Sequence, residues 1–169
     1  MSVTPTYSKT ITIPQSVIDE NGHVNNVAYV QWMQDIAIEH YTAIGGIGPT
    51  QHVGATWVAR SHLIEYLVPA FAGEQIEIRT WIENYRRVRS LRKYEFVRVS
   101  DGKLLVQGET DWVFVDASTG SPRAIPEEVI RVFANASHPF NPSLRAAKRR
   151  SNPLNDAGIA SSGRSPSSQ

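Results

Sequence analysis

The sequence predicts an α+β domain in which an antiparallel sheet curls around one long, enclosed helix. Two observations carry this. Apolar residues recur with helical spacing over Asn26–Ile44 and cover most of that segment's circumference. Four long segments then follow with the alternation and β-branched content of strands, and no helical pattern separates them. Strands that follow one another directly form an antiparallel sheet and not βαβ units.

Each element has its own signal. Tyr7–Ile13 alternates as a strand does, and Pro14 ends it. Gln15 to Asn25 reads as a polar loop. In the helical segment, Val27, Tyr29, Val30, Met33, Ile36, Ala37, Tyr41 and Ile44 leave only a narrow polar stripe through Gln31, Asp35, Glu39 and Thr42. A surface helix shows a wider polar face, so this one is expected to be largely enclosed. Gly45-Gly46 supplies its C-terminal stop. Ala55–Leu67 is a strand that ends before Pro69, and Glu74–Tyr85 is another, with Ile76, Ile78, Thr80 and Ile82 on one face. Ser90–Ser100 and Lys103–Val115 are two more, joined by the turn pair Asp101-Gly102. After a turn at Asp116–Gly120, Pro126 opens a short helix to about Ala134, with Glu127 and Glu128 where the helix dipole favours anions.

From Asn141 to Gln169, Pro, Asn, Ser, Gly and Ala dominate, and Leu144, Leu154 and Ile159 are the only large apolar residues. That is too few to offset an ordering cost of roughly 1–2 kcal/mol per residue. The expected organisation is a folded domain over residues 1–140 and a disordered basic tail over 141–169.

Composition narrows the function classes. The chain has 169 residues, 41% hydrophobic and 20% charged, the balance of one ordinary globular domain. Cysteine is absent, which removes disulfides, a thiolate nucleophile and any Cys-based zinc site. No apolar run reaches the roughly 18 residues that span a bilayer, and the N-terminus lacks the pattern of a secretory signal. A soluble cytoplasmic protein with no membrane partner is the expectation. The tail carries five cations against one carboxylate, net +4, which leaves −3 on the preceding part. An acidic body with a basic tail is not the footprint of a nucleic-acid-binding domain.

The chemistry concentrates where the loop meets the long helix: Asp19-Glu20-Asn21-Gly22-His23-Val24-Asn25-Asn26-Val27-Ala28-Tyr29. A carboxylate, a glycine turn and two asparagines able to cap a helix precede its first turn. The free N–H groups of a helix start, with the helix dipole, favour negative charge. The oxyanion formed on a thioester carbonyl is such a charge, and one lost oxyanion donor typically costs about 2.7–4 kcal/mol. An aspartate beside that position can attack the acyl carbon or deprotonate a water that does.

Asp19-x-x-Gly22-His23-Val24-Asn25-Asn26-x-x-Tyr29 resembles the active-site motif of the 4-hydroxybenzoyl-CoA thioesterase type of hot-dog proteins. The phrase His62-Leu63-Ile64-Glu65-Tyr66-Leu67-x-Pro69-Ala70, followed by Gly73-Glu74, is similar to that family's second strand and turn. The likeness spans about Thr10 to Pro126. It implies a hot-dog fold, a homodimer often paired into a homotetramer, active sites at the subunit interface, hydrolysis of acyl-CoA thioesters, and no metal or cofactor. It implies Asp19 as the catalytic carboxylate, the backbone N–H of Asn26 as oxyanion donor, and Gly22 as the residue that lets backbone approach substrate. His23, Asn25 and Tyr29 match residues that shape the site. One departure is plain: several relatives carry a tyrosine four residues before the aspartate, and Gln15 stands there.

Blander readings stand beside these. A lone aspartate in a polar loop is ordinarily a solvated turn residue, and Asn25 and Asn26 serve equally as plain N-caps. Glu39 is the rival carboxylate, because a second branch of these thioesterases places its catalytic glutamate on the long helix. His40 and His62 read as packing or hydrogen-bonding residues, and no His/Asp/Glu set has metal spacing. The stretch Arg86-Arg87-Val88-Arg89-Ser90-Leu91-Arg92-Lys93 holds five cations in eight residues. It is either a solvated hairpin end or a partner for CoA phosphates, which arginine binds bidentately. Arg86, Arg87 and Arg89 are the candidates.

Three other functions compete with this one. An acyl carrier protein thioesterase differs only in lacking the nucleotide, and the basic stretch favours CoA. Hot-dog hydratases place a histidine five residues after the aspartate, whereas Asp19 and His23 are four apart. A non-catalytic acyl-CoA sensor would carry a DNA-binding segment, and no helix-turn-helix pattern is present.

Overall fold

The computed structural model describes residues 4–136; the tail expectation for Asn141–Gln169 lies outside them. Five strands, β1 (Tyr7–Thr12), β2 (Ala55–Tyr66), β3 (Gln75–Arg86), β4 (Arg89–Arg98) and β5 (Leu104–Asp116), form one antiparallel sheet in the order β1-β3-β4-β5-β2. The helices are α1 (Asn26–Ala43), α2 (Ile47–His52) and α3 (Glu127–Ala136), with a single 3-10 turn at Gln15–Val17. The α+β hot-dog expectation is met, with every strand within a few residues of its sequence bounds.

Period-two alternation sets which side of the sheet α1 covers. On β3, Ile76, Ile78, Thr80 and Ile82 are buried, and on β4 so are Ser90, Arg92, Tyr94 and Phe96. Tyr29, Met33, Ile36 and Ala37 of α1 complete this core with Leu105 and Val106 of β5. Gly108 lets the helix approach: a Cβ there would meet Met33 Cε and the Leu63 carbonyl oxygen, each at 3.2 Å. Two smaller clusters form beside it: Val129 of α3 packs with Ala55 and Phe114 in one, and Phe133 with Tyr41 and Ile82 in the other.

Two features differ from expectation. α1 is not enclosed by its own chain: Val27 in its first turn and Ile38 further along stand 70% and 50% exposed. One sheet covers one face of a helix, and nothing in the described residues covers the other. α2 was not expected: the sequence signals only the helix stop at Gly45-Gly46 before the strand that opens at Ala55. Its six residues are held by tertiary contact, with Tyr41 and Thr50 hydroxyls paired at 2.8 Å. Among the described residues no helix is long and apolar enough to cross a membrane.

Candidate active site

The segment between β1 and α1 folds into a tight loop on its own backbone. Ile18 and Val24 form an antiparallel bridge. The Asp19 N–H donates to the His23 carbonyl and the Gly22 N–H to the Asp19 carbonyl, each at 3.0 Å. Gly22 adopts φ +79°, a left-handed conformation that glycine takes without Cβ strain. The loop is anchored to the β2–β3 connection where the Val24 N–H donates to the Ala70 carbonyl at 2.9 Å.

The carboxylate of Asp19 is half-buried and closes an Asx turn: its Oδ1 accepts from the Asn21 N–H at 2.8 Å, and its Oδ2 lies 3.5 Å from Asn21 Nδ2. Asn21 therefore orients it, a partner that sequence reasoning missed.

The start of α1 is capped by Asn25. Its Oδ1 accepts from the Val27 N–H at 2.9 Å, its carbonyl accepts from the Ala28 N–H at 3.0 Å, and its own N–H donates to the Val17 carbonyl at 2.8 Å. The intervening N–H, that of Asn26, has no acceptor among the described residues. Tyr66 Oη donates to the Asn26 carbonyl at 3.2 Å and ties this first turn to the end of β2.

Beside the helix start lies a cavity of about 260 Å³, lined by His23, Asn26, Tyr29, Tyr66, Ala70 and neighbours on the β2–β3 connection. Tyr29 is its floor. The ring is 2% exposed and sits edge-on to Trp32, Tyr66 and Phe96. Burial pushes its phenol up to about 12, so it stays protonated and serves as an apolar surface or a hydroxyl donor. His23 is half-buried, with Nδ1 3.5 Å from the Val24 carbonyl.

His23, Asn26 and Tyr29 thus line this cavity, whereas Asp19, Gly22 and Asn25 lie in the loop and cap that precede α1 and are not among its lining residues. Arg86, Arg87 and Arg89 are not with them. They occupy the β3–β4 hairpin, where Arg86 faces Arg89 across the turn. The other end of β3 meets the loop region, with the Ile13 N–H on the Glu74 carbonyl. Twelve residues of strand, about 36 Å at 3.3 Å per residue, separate the two ends. Arg89 pairs with Asp111 at 3.4 Å, Lys93 pairs with Glu109 at 2.7 Å, and Arg92 turns inward and is buried. Glu39, the rival carboxylate, pairs with Lys9 at 2.6 Å and lies thirteen residues along α1, about 20 Å from its start.

Residues 13–133 match the family described as the thioesterase-like superfamily. Among curated proteins, none matches the sequence. A hypothetical protein from Staphylococcus aureus, solved in complex with CoA, superposes with TM-score 0.71 at 18% identity over 82% of this chain and 89% of its own. A 1,4-dihydroxy-2-naphthoyl-CoA thioesterase from Synechocystis gives 0.70 at 16% over 80% and 100%. A DHNA-CoA thioesterase from Staphylococcus aureus gives 0.65 at 18% over 88% and 97%. At these identities the likeness is one of fold, whereas the family match spans most of the chain. With four of its five strands, its central helix and the loop before it inside the matched region, the chain belongs to the thioesterase-like superfamily, whose fold is the hot dog.

Proposed function

We propose that the protein hydrolyses acyl-CoA thioesters as an enzyme of the 4-hydroxybenzoyl-CoA thioesterase type, with Asp19 as the catalytic carboxylate and the Asn26 N–H as oxyanion donor. The observation that carries the reading is the uncommitted Asn26 N–H beside a cavity. Its neighbours at Asn25, Val27 and Ala28 are all bonded within the chain. A donor at a helix start with no acceptor of its own stabilises an oxyanion without first breaking a bond. The matched CoA complex and the two naphthoyl-CoA thioesterases favour a CoA-type substrate. The purified protein, screened against aryl- and acyl-CoA thioesters with detection of free thiol, is expected to release CoA from at least one. Binding with no thiol released from any of them would replace hydrolysis by acyl-CoA binding.

The functional unit in this reading is a homodimer, alone or paired into a homotetramer. β2 is an edge strand of twelve residues, and Val58, Leu63, Tyr66 and Leu67 on or beside it are 43–60% exposed. A long apolar edge invites strand pairing. Two copies joined antiparallel along β2 would set the Ala55 end of one beside the Tyr66 end of the other. Arg89, Val113 and Val58 share one register across β4, β5 and β2, so the basic hairpin belongs to the Ala55 end. Its cations would then approach the loop of the second copy, which reconciles them with a CoA site. Sedimentation is expected to show a dimer or tetramer at micromolar concentration. Leu63→Arg is expected to yield monomers and lose activity in parallel; a fully active monomer would refute the arrangement.

The hairpin itself is testable. Replacing Arg86, Arg87 and Arg89 together by Ala is expected to raise KM for a CoA thioester about tenfold, 1.4 kcal/mol, and to leave a pantetheine thioester nearly unaffected. Equal effects on both would assign these residues to the fold or dimer.

A further inference from the structure

A second cavity, of about 330 Å³, lies toward the other end of α1, away from the Asp19 loop. Ala37, Ile38 and Tyr41 of α1 form one wall, and Trp57, Ile82 and Phe133 much of the rest. Two sets of its polar groups contrast. Tyr41, Thr50 and Trp57 satisfy one another: the two hydroxyls are 2.8 Å apart, and Trp57 Nε1 donates to Tyr41 Oη at 3.1 Å. Arg92 and Ser90, also in the lining, are different.

Arg92 is 4% exposed and pairs with no carboxylate among the described residues. Its two hydrogen bonds, to His40 Nδ1 at 2.8 Å and Thr80 Oγ1 at 3.2 Å, both use Nη1. Both acceptors are neutral: Thr80 offers a hydroxyl, and burial and the adjacent guanidinium hold His40 at a pKa of about 3. The opposite edge of the guanidinium, Nε and Nη2, has no partner among the described residues. That edge is the fork that binds a carboxylate bidentately. Ser90, 5% exposed and two residues earlier on the same strand face, adds a hydroxyl with no hydrogen-bond partner among the described residues. A buried charge without a counter-charge is costly unless something supplies one.

We propose that this cavity binds the carboxylate of a small apolar acid, with the carboxylate on the Nε/Nη2 edge of Arg92 and beside Ser90, and the hydrocarbon against Ala37, Trp57, Ile82 and Phe133. The volume is at the lower end of small-molecule sites, which suits a medium alkyl chain or a ring system. A bare inorganic anion would leave the apolar walls unused. The carboxylate belongs either to a free acid, such as a product of thioester hydrolysis, or to the far end of a dicarboxylic acyl group. Binding of the free acid stands whether or not the hydrolase reading does; only the second source rests on it.

The test is calorimetric titration of the full chain with octanoate and with octan-1-ol. The wild type is expected to bind octanoate at least tenfold more tightly than the alcohol. Arg92→Met should abolish that preference and Arg92→Lys should keep part of it. Arg92→Met replaces an unpaired buried charge by an apolar side chain of similar length, and is expected to fold with an unchanged or raised Tm. Asp19→Asn should bind octanoate as the wild type does, which separates this cavity from the Asp19 site. Equal affinity for acid and alcohol, no binding at millimolar octanoate, or octanoate binding unchanged in Arg92→Met would each overturn the proposal. A KM raised in Arg92→Met for an ω-carboxyacyl-CoA, but not for the matched acyl-CoA, would identify the dicarboxylic source; loss of octanoate binding alone would identify the free acid.

Discussion

Asp19→Asn is expected to lower kcat for thioester hydrolysis by roughly 10²–10⁴-fold, the usual contribution of a positioned acid–base group, while Tm and substrate affinity stay close to wild type. The local geometry makes this substitution clean. The turn depends on an oxygen at position 19 that accepts from the Asn21 N–H, and the side-chain amide of asparagine retains such an oxygen. What is lost is the negative charge, needed either to attack the acyl carbon or to take a proton from water. Asp19→Ala would remove both charge and turn, so a loss there would confound chemistry with loop structure. Steady-state kinetics on Asp19→Asn decide the matter together with a thermal melt. Activity within a few-fold of wild type would remove Asp19 from the mechanism. Glu39 would then be the carboxylate to test, although its ion pair with Lys9 would have to open first.

The sheet and α1 were legible because their signals are periodic. Ile76, Ile78, Thr80 and Ile82 alternate, Asp101-Gly102 forms a tight turn with Gly102 at φ +69°, and Asn25 caps the helix it precedes. The exposed outer face of α1 was misread for a related reason. Apolar residues around most of a helix announce that something covers them, but not whether the cover is the same chain. Val27 read as core and stands open in the single chain, and Ile38 is exposed on the same helix.

Within the basic stretch, Arg92 was misread by counting charge along the chain instead of by face. Strand alternation sends Ser90, Arg92 and Tyr94 to the buried side and Arg89, Leu91 and Lys93 to the other. Arg92 is therefore not part of a solvated cluster but a buried cation with a histidine beside it. The alternation itself held that signal. The partnership with His40 did not show, because 52 residues separate the two and only the folded sheet brings α1 over β4. Asn21 and Tyr66 escaped for similar reasons: one acts through an Asx turn and the other reaches 40 residues back to the helix start.

The His40–Arg92 contact predicts a steep acid sensitivity of the fold. His40 is 2% exposed, stacked on Tyr7 with ring centroids 5.3 Å apart, and accepts a hydrogen bond from Arg92. Protonation would place a second cation against a buried guanidinium and turn the acceptor into a donor. Burial first, and then the Arg92 charge, hold its pKa at about 3 against an ordinary 6.5. Between those values the unfolded chain binds a proton that the folded chain refuses, so stability rises with pH through this window. The contribution is complete above about pH 6.5 and is lost as pH falls toward 3. From pH 7 to pH 5 the loss amounts to about 2 kcal/mol, or a Tm lower by roughly 4–8 °C for a chain of this size. The carboxylates of Glu77, Asp101 and Asp116 are held below their ordinary values by hydrogen bonds and neighbouring charge, and release their share at lower pH. His40→Asn keeps an acceptor near Arg92 but cannot titrate. It is expected to be less stable at pH 7, having lost the stack on Tyr7, yet to show a much flatter stability between pH 7 and pH 5. Urea titrations of both proteins across that range measure it, and parallel curves would show that His40 takes no part in the acid response.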